Sequence, residues 1–480
     1  ELMQKVGNKP YISVNYTFDG LTPAGLPEDL CYKLNQYYEQ KLRQDKTAHD
    51  KIEFEIIFNT YDFMTDTRLK ELAEYGFDDV EISQLRNALF EIAKQTLEHY
   101  DEICEEDLRS LGQLTELRHE LRKHSPLAET NVMKLYSYID ELLDSIKDHG
   151  TPQFTRQARC AFMARSFCRT LVEKGYFTKQ EMDDFMLSIP TVASEFERDF
   201  DLYSHGKLSR DDFNHLYGHL RLGTYDIRSD SYRNIYFDVA SANLTGNNKV
   251  KQEAKSLDLE RLQVALDEAG IPVTPEKFIE FIKKATQNRE YFKFEFTKSL
   301  SLMLDVIVKL GEVMAIARED MSYLEIQDLL SYHSRDSYIQ TIETRRRFYH
   351  VNSYLVLPEV IFDVGDIDVI DIDEARPNFI TNKVVEAPIV NLDEDHDSDI
   401  TGKIVVLTKA DPGYDWIFAK DIAGFVTKYG GAASHMAIRC AEFGIPAAIG
   451  CGEKIYQRIH RMQIMCLDCE NGRITEKQSQ

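Results

Sequence analysis

Residues 427–450 read TKYGGAASHMAIRCAEFGIPAAIG. The run begins as a short strand pattern, turns at two glycines, continues as a helix pattern over 434–443 and returns to a strand pattern after Pro446. Glycine at the end of the helix pattern followed by proline is a typical helix stop. The order of strand, glycine turn, helix and strand indicates a small open α/β unit.

The turn before the helix gathers residues suited to phosphoryl chemistry. Gly430 and Gly431 allow a tight turn and a close approach to a ligand. Ser434 and His435 open the helix, whose first turn offers backbone N–H groups and the positive end of the dipole to an anion. A histidine at this place can accept a phosphoryl group, while Ser434 caps the helix or donates to the phosphoryl oxygens. The structural alternative is a surface histidine beside a helix cap.

Outward from this run the chain divides into three parts. Strand and helix signals alternate over 402–480, including a buried strand at 403–407 and a helix candidate at 416–421. Residues 351–401 are rich in β-branched residues and hold the acidic stretch 393–399, which predicts a β-rich linker with a hinge near 393–401. Residues 1–350 show apolar spacing typical of helices, after a predicted strand at 11–16. We therefore expect a large, mainly α-helical domain followed by a small α/β domain.

The composition excludes several classes of partner. The formal net charge of −24 over 480 residues argues against nucleic acid and anionic membrane surfaces. No apolar run approaches the roughly 18 residues that a membrane span needs. The chain start lacks the features of a signal peptide, and eight scattered cysteines are typical of a reducing compartment, so a cytoplasmic protein is expected. Cys466 and Cys469 form a lone CxxC pair, and no metal site is predicted from it.

The complete run around His435 resembles the swivelling phosphohistidine domain of the phosphoenolpyruvate-utilising, dikinase-type phosphotransferases. The resemblance rests on Gly-Gly, Ser-His, the apolar helix face and Gly-Ile-Pro-Ala-x-x-Gly in register. It implies that His435 carries the phosphoryl group. Members of the family usually have arginine six residues after the histidine, where this chain has Ala441. Arg439 instead shares the helix face of His435, where it either pairs with the phosphoryl group or is a surface charge.

The resemblance also implies parts of an enzyme that this sequence does not show. Family members combine an ATP-grasp domain, the swivelling domain and an acceptor domain. The order here resembles the rifampicin phosphotransferases, in which a helical acceptor domain precedes the histidine domain. No glycine-rich nucleotide loop occurs in the sequence. We therefore expect the ATP-grasp domain, with its ATP and Mg²⁺, to lie upstream of Glu1.

Two segments of the helical part resemble acceptor domains of the same superfamily. Residues 217–228 read YGHLRLGTYDIR and residues 318–323 read REDMSY. The resemblance places in an acceptor cleft the side chains of His219, Arg221, Tyr225, Asp226, Arg318 and Glu319. The structural alternative is a buried polar turn for the first segment and a helix cap at Asp320 or Ser322 for the second.

Only a resemblance indicates the identity of the phosphoryl acceptor. Three segments are together similar to the L-glutamine kinases of capsular phosphoramidate biosynthesis: residues 218–227, the helix variant Ile-Arg-Cys-Ala and HDKIEFE at 49–55. The implied reaction converts ATP, water and L-glutamine into AMP, phosphate and L-glutamine phosphorylated on its amide nitrogen. The alternatives are a rifampicin-phosphotransferase-like kinase of another small molecule and a non-catalytic phosphocarrier module.

Overall fold

The structure is a computed structural model that describes residues 2–223, 225–234, 256–352, 357–363, 377–394, 398–409, 412–432, 434–460 and 462–476. The chain forms two compact units. Glu1–Val192 and Lys251–Val369 form the helical unit, and Ala193–Val250 and Ile370–Gln480 form the sheet unit.

The helical unit begins with the antiparallel hairpin of β1 (Met3–Val6) and β2 (Lys9–Ile12) and continues almost entirely in helices. Before the sheet-unit segment these are α1 (Val14–Leu21), α2 (Glu28–Gln44), α3 (Thr65–Arg68), α4 (Asp79–Lys123), α5 (Val132–His149), α6 (Thr151–Glu173) and α7 (Lys179–Leu187). The next helices in chain order are α8 (Val192–Ser204) and α9 (Arg210–Tyr217). Both belong to the sheet unit, which begins at Ala193. The helical unit then resumes with α10 (Leu259–Ala269), α11 (Pro275–Val313), α12 (Arg318–Met321), α13 (Ile326–Leu330) and α14 (Arg335–Asn352).

Long helices pack face to face in the core of the helical unit. Phe167 of α6 lies against Phe278 and Phe281 of α11, with ring centroids 5.1 and 6.3 Å apart. All three rings are almost fully buried, and burial of each contributes roughly 1.5–3 kcal/mol. The packing fixes α6 and α11 side by side, so side chains on their adjoining faces have defined positions.

The sequence prediction of a multidomain chain with a large helical part and a C-terminal sheet domain is confirmed. The strand predicted at 11–16 is shorter, because β2 ends at Ile12 and α1 begins at Val14. Ser13 causes this change, since its Oγ accepts from the backbone N–H of Tyr16 and caps the helix. Across the described ranges, no helix combines the length and the apolar character that crossing a bilayer requires.

The sheet unit contains a seven-stranded mixed sheet in the order β3-β7-β6-β5-β4-β8-β9. Its central strands β4, β5, β6 and β7 are parallel, and β3, β8 and β9 are antiparallel to their neighbours. The strands are β3 (Asn378–Ile380), β4 (Val384–Asn391), β5 (Ile404–Lys409), β6 (Gly424–Tyr429), β7 (Ala447–Ile449), β8 (Ile464–Asp468) and β9 (Arg473–Glu476). A 3-10 helix at Pro412–Ala419, α15 (His435–Phe443) and α16 (Gly452–Ile459) cover the sheet.

Successive residues of β5 point to opposite faces of this sheet, as strand geometry requires. Val405 and Leu407 belong to a core that includes Met436 and Cys440 of α15. Ile404 and Val406 belong to a second core that includes Tyr456 and Ile459 of α16. The sheet is therefore covered by a helix on each face, and α15 is held by its apolar side.

The boundaries of the units differ from the predicted 1–350, 351–401 and 402–480. The predicted linker contributes β3 and β4 to the sheet, because its β-branched residues pair with neighbouring strands. At the predicted hinge, Asp393 accepts through Oδ2 from the backbone N–H of Thr408 at 2.5 Å and from Tyr456 Oη at 3.1 Å. The helix predicted at 416–421 is the 3-10 helix Pro412–Ala419. Parts of the predicted linker, 353–356, 364–376 and 395–397, lie outside the described residues.

Candidate functional site

Two neighbouring parallel strands end at the same edge of the sheet. Strand β5 leads into the 3-10 helix that carries Asp415, and β6 leads into the glycine turn and His435. In open α/β sheets, ligand sites lie outside the carboxyl ends of the strands. The sheet topology therefore brings Asp415 and His435 together across 20 residues of sequence.

His435 is the first residue of α15, after Ser434, whose Oγ accepts from the N–H of Ala437 at 3.4 Å. The Nε2 atom of His435 lies 2.7 Å from Oδ1 and 2.9 Å from Oδ2 of Asp415. The two side chains are 18% and 13% exposed, so solvent reaches the ring only in part. A carboxylate thus holds the imidazole by one nitrogen and limits its rotation.

Arg439, one turn along α15, is surrounded by carboxylates. Its guanidinium pairs with Glu197 of α8, with Glu442 through Nη1 at 2.7 Å, and lies 4.0 Å from Asp415. Burial lowers the pKa of Arg439, but the three carboxylates outweigh this effect and hold the pKa above its ordinary value. Arg439 therefore remains charged and joins α15 to α8 within the sheet unit.

The glycine turn is fixed by close backbone packing. Gly430 has a φ of +128° and Gly450 a φ of +75°, both in the region that favours glycine. A Cβ atom at Gly450 would lie 2.3 Å from the carbonyl oxygen of Gly430. The strand that follows α15 therefore supports the turn that precedes it, and Gly431 continues that turn into Ser434 and His435.

The segment 218–234, of which Thr224 lies outside the described residues, forms a closed loop in the sheet unit. Arg221 is 2% exposed and donates through Nη1 to the carbonyl of Ser229 at 2.6 Å. His219 is also buried, whereas Tyr225 is exposed. Asp226 pairs with Arg228 at 2.7 Å, which places that carboxylate in a local ion pair. Arg221 thus ties the two sides of the loop together.

This loop packs against the 3-10 helix that carries Asp415. A Cβ atom at Gly413 would lie 1.9 Å from the carbonyl oxygen of Arg221. Tyr232 donates from its hydroxyl to the carbonyl of Gly413. The loop therefore supports the backbone that positions Asp415 beside His435.

The predicted site residues are divided between the two units. His219, Arg221, Tyr225 and Asp226 are in the sheet unit with Gly430, Gly431, Ser434, His435 and Arg439. Arg318 and Glu319 begin α12 in the helical unit, where the carbonyl of Glu319 accepts from Ser322 Oγ at 2.6 Å.

Sequence reasoning missed three carboxylates: Asp415, Glu197 and Glu442. Asp415 could have been found, because it follows a buried parallel strand just as His435 does. Glu442, three residues after Arg439, could also have been found from helix spacing. Glu197 carries no such signal, since its contact with Arg439 joins residues 242 positions apart.

The geometry can be compared with known proteins at this point. Residues 400–472 match the model of the PEP-utilising enzyme mobile domain. The match covers β5 to β8, including the glycine turn and His435, and supports the phosphoenolpyruvate-utilising, dikinase-type resemblance.

Two rifampicin phosphotransferases are similar to part of the chain. The protein of Bacillus subtilis (strain 168) is 28% identical over 222 residues, which are 42% of this chain and 24% of the relative. The protein of Bacillus cereus is 26% identical over 212 residues, which are 40% of this chain and 24% of the relative. The matched region thus spans about a quarter of either relative.

Proposed function

We propose that this chain is the carrier and acceptor part of an ATP-dependent phosphotransferase in which His435 carries the phosphoryl group to a small molecule. The observation that carries the proposal is the pair of His435 and Asp415 at the carboxyl edge of a sheet matched by the PEP-utilising mobile domain. A histidine at this position without a carboxylate partner would support a phosphoryl-carrier role less strongly.

In the proposed transfer, a ring nitrogen of His435 attacks phosphorus, a P–O bond of the donor breaks and a P–N bond forms. The ring must lose its proton for the product to be neutral at nitrogen. Asp415 lies within hydrogen-bond distance of Nε2 and is placed to hold that proton and to orient the ring. The first backbone N–H groups of α15 are suited to stabilise the charge on the phosphoryl oxygens.

The donor in this proposal is ATP, bound with Mg²⁺ by an ATP-grasp domain. The metal ion would neutralise charge on the ATP phosphates there. Attack of the ring on the β-phosphorus releases AMP and leaves a diphosphoryl group on His435. Water then cleaves the remaining phosphoanhydride bond, which releases one phosphate and leaves a single phosphoryl group on His435. The sheet unit then presents this group to the acceptor.

The acceptor that we propose is L-glutamine, on the basis of the segments 49–55 and 218–227 and the helix variant Ile-Arg-Cys-Ala. The amide nitrogen is a poor nucleophile, so an acceptor site must hold it in line and remove a proton. The second candidate is another small molecule, which the similarity to proteins named rifampicin phosphotransferase favours.

Phosphorus NMR of the chain joined to its ATP-grasp domain tests the proposal. With magnesium ATP and L-glutamine we expect AMP, phosphate and a new phosphoramidate signal. L-glutamate is the matched control, because it lacks the amide and should give no such signal. AMP and phosphate without a new signal would reject L-glutamine and retain His435 chemistry, and no AMP at all would contradict the proposed function.

The role of Asp415 gives a separate prediction. Asp415→Asn should slow phosphorylation of His435 by about 10–100-fold, because the ring is no longer held in one orientation. The ¹⁵N NMR signals of the His435 ring should also shift towards a mixture of tautomers. Asp421→Asn, an exposed carboxylate after the same 3-10 helix, is the control. An unchanged rate with unchanged ring signals in Asp415→Asn would show that Asp415 does not position the ring.

A further inference from the structure

A group of arginine and phenylalanine side chains lies within the helical unit. The π-helical turn Ile52–Ile56 places Phe54 against Phe162 of α6, with ring centroids 5.5 Å apart at 84°. The guanidinium of Arg165 lies 5.2 Å from the centroid of Phe54, and that of Arg289 lies 5.8 Å from Phe162. We call these four side chains, Phe54, Phe162, Arg165 and Arg289, the arginine–phenylalanine recess.

Arg165 differs from a surface arginine that is paired with a carboxylate. Its side chain is exposed to solvent, yet burial, followed by the guanidiniums of Arg289 and Arg169, lowers its pKa. Protein atoms therefore desolvate the guanidinium of Arg165 in part, while water still reaches its side chain. Within the ranges that the structure describes, Arg165 has no hydrogen bond and no ion pair with a carboxylate.

The carboxylates nearby are directed to the other arginines. Glu55 and Glu173 pair with Arg169 at 3.1 and 3.3 Å. Glu290 lies 3.7 Å from its neighbour Arg289. The positive charge of Arg165 is therefore not neutralised by these groups, in a chain whose net charge is −24.

A purely structural role accounts for only part of this geometry. Contact of Arg165 with the face of Phe54 is worth about 0.5–1 kcal/mol at an exposed site. The neighbouring guanidiniums and the partial desolvation oppose that gain. A bound anion between Arg165 and Arg289 would offset both costs.

The backbone that carries Phe54 has an uncommon conformation. The N–H of Ile57 bonds to the carbonyl of Ile52 at 3.0 Å, which is the i→i+5 bond of a π-helix. Single π-helical turns are rare. Phe54 lies in this turn and also in the segment 49–55, which is similar to the L-glutamine kinases.

We propose that the arginine–phenylalanine recess binds the carboxylate of a small molecule, with Arg165 as its principal ligand. Guanidinium groups match a carboxylate through two parallel N–H donors, and the two phenyl rings provide an apolar wall for the rest of the molecule. The identification of this molecule as the phosphoryl acceptor rests on the proposed function. The recess then selects acceptors that bear a carboxylate.

Ligand-observed NMR on the 480-residue chain tests the recess without any transfer reaction. Benzoate should bind and benzamide, its neutral match, should bind far more weakly. Arg165→Gln should weaken benzoate binding about 10–100-fold, because a hydrogen-bonded ion pair is lost. Arg109→Gln removes an exposed guanidinium from α4 and should leave binding unchanged. Equal binding of benzoate by wild type and Arg165→Gln, or no binding by wild type, overturns the proposal.

L-glutamine in the same experiment separates the two proposals. Binding of L-glutamine that Arg165→Gln weakens, and that His435→Ala leaves intact, supports the recess as the acceptor site. Arg165-dependent binding of benzoate without binding of L-glutamine retains the carboxylate site and rejects glutamine as its ligand. Inorganic phosphate that binds in preference to benzoate overturns the carboxylate assignment.

Discussion

Replacing His435 by alanine is expected to remove the covalent phosphoryl adduct entirely. In the proposed transfer the P–N bond forms on the imidazole ring, and alanine offers no atom to accept phosphorus. The helix should persist, because the N-cap is Ser434 and the apolar side of α15 is unchanged. Intact-protein mass spectrometry after incubation with magnesium ATP and the ATP-grasp domain should show a phosphoryl group on wild type alone.

His460→Ala is the matched control for this experiment. His460 also lies in the sheet unit, where it is the C-cap of α16, and its side chain is 28% exposed. This variant should acquire the adduct at the wild-type rate. A phosphoryl group that persists in His435→Ala would assign the carrier to another side chain and would remove the reason for the pairing with Asp415.

Gly413→Ala should produce the largest loss of stability among the conservative changes near the site. Its Cβ atom would lie 1.9 Å from the carbonyl oxygen of Arg221 and 2.6 Å from Cα of Leu222. Both contacts are to backbone, so no side-chain rotation relieves them. Forcing this backbone apart should destabilise the sheet unit by about 1–3 kcal/mol.

The fluorescence of Trp416 measures this effect directly. The chain contains one tryptophan, which lies in the same 3-10 helix as Gly413 and Asp415. Denaturant unfolding followed by this signal should shift to lower midpoint in Gly413→Ala. Gly112→Ala in α4 is the control, because nothing lies within 4 Å of its new Cβ and alanine favours a helix by about 0.5–1 kcal/mol. Equal midpoints for Gly413→Ala and wild type would mean that the loop 218–234 adapts without cost.

The local pattern around His435 was sufficient to predict the element order there. Strand, glycine turn, capped helix and strand appear as β6, the turn at Gly430, α15 with its cap Ser434, and β7. Each of these elements depends on neighbours in sequence: alternation for the strand, a hydroxyl cap for the helix start and Gly444 at φ +61° for its end. Residues close in sequence determine such features, so they can be predicted from a single sequence.

The unit boundaries depend on contacts that no local pattern encodes. The association of α8 and the loop 218–234 with the sheet unit rests on Glu197 meeting Arg439 and on Tyr232 meeting Gly413. The predicted β-rich linker 351–401 contains β3 and β4, and β-branched composition indicates a strand without indicating which sheet it joins. The arginine–phenylalanine recess likewise joins residues more than 100 positions apart in sequence.

The place of β4 in the sheet order has a practical consequence for protein production. An expression fragment cut at residue 402, the predicted domain start, would omit the strand that separates β5 from β8. The truncated product would expose the open edge of β5 and detach the β8–β9 hairpin from the remaining strands. Unprotected strand edges promote aggregation. A soluble fragment of the sheet unit therefore needs at least the residues from β3 onward, together with the segment 193–234, whose Glu197 pairs with Arg439.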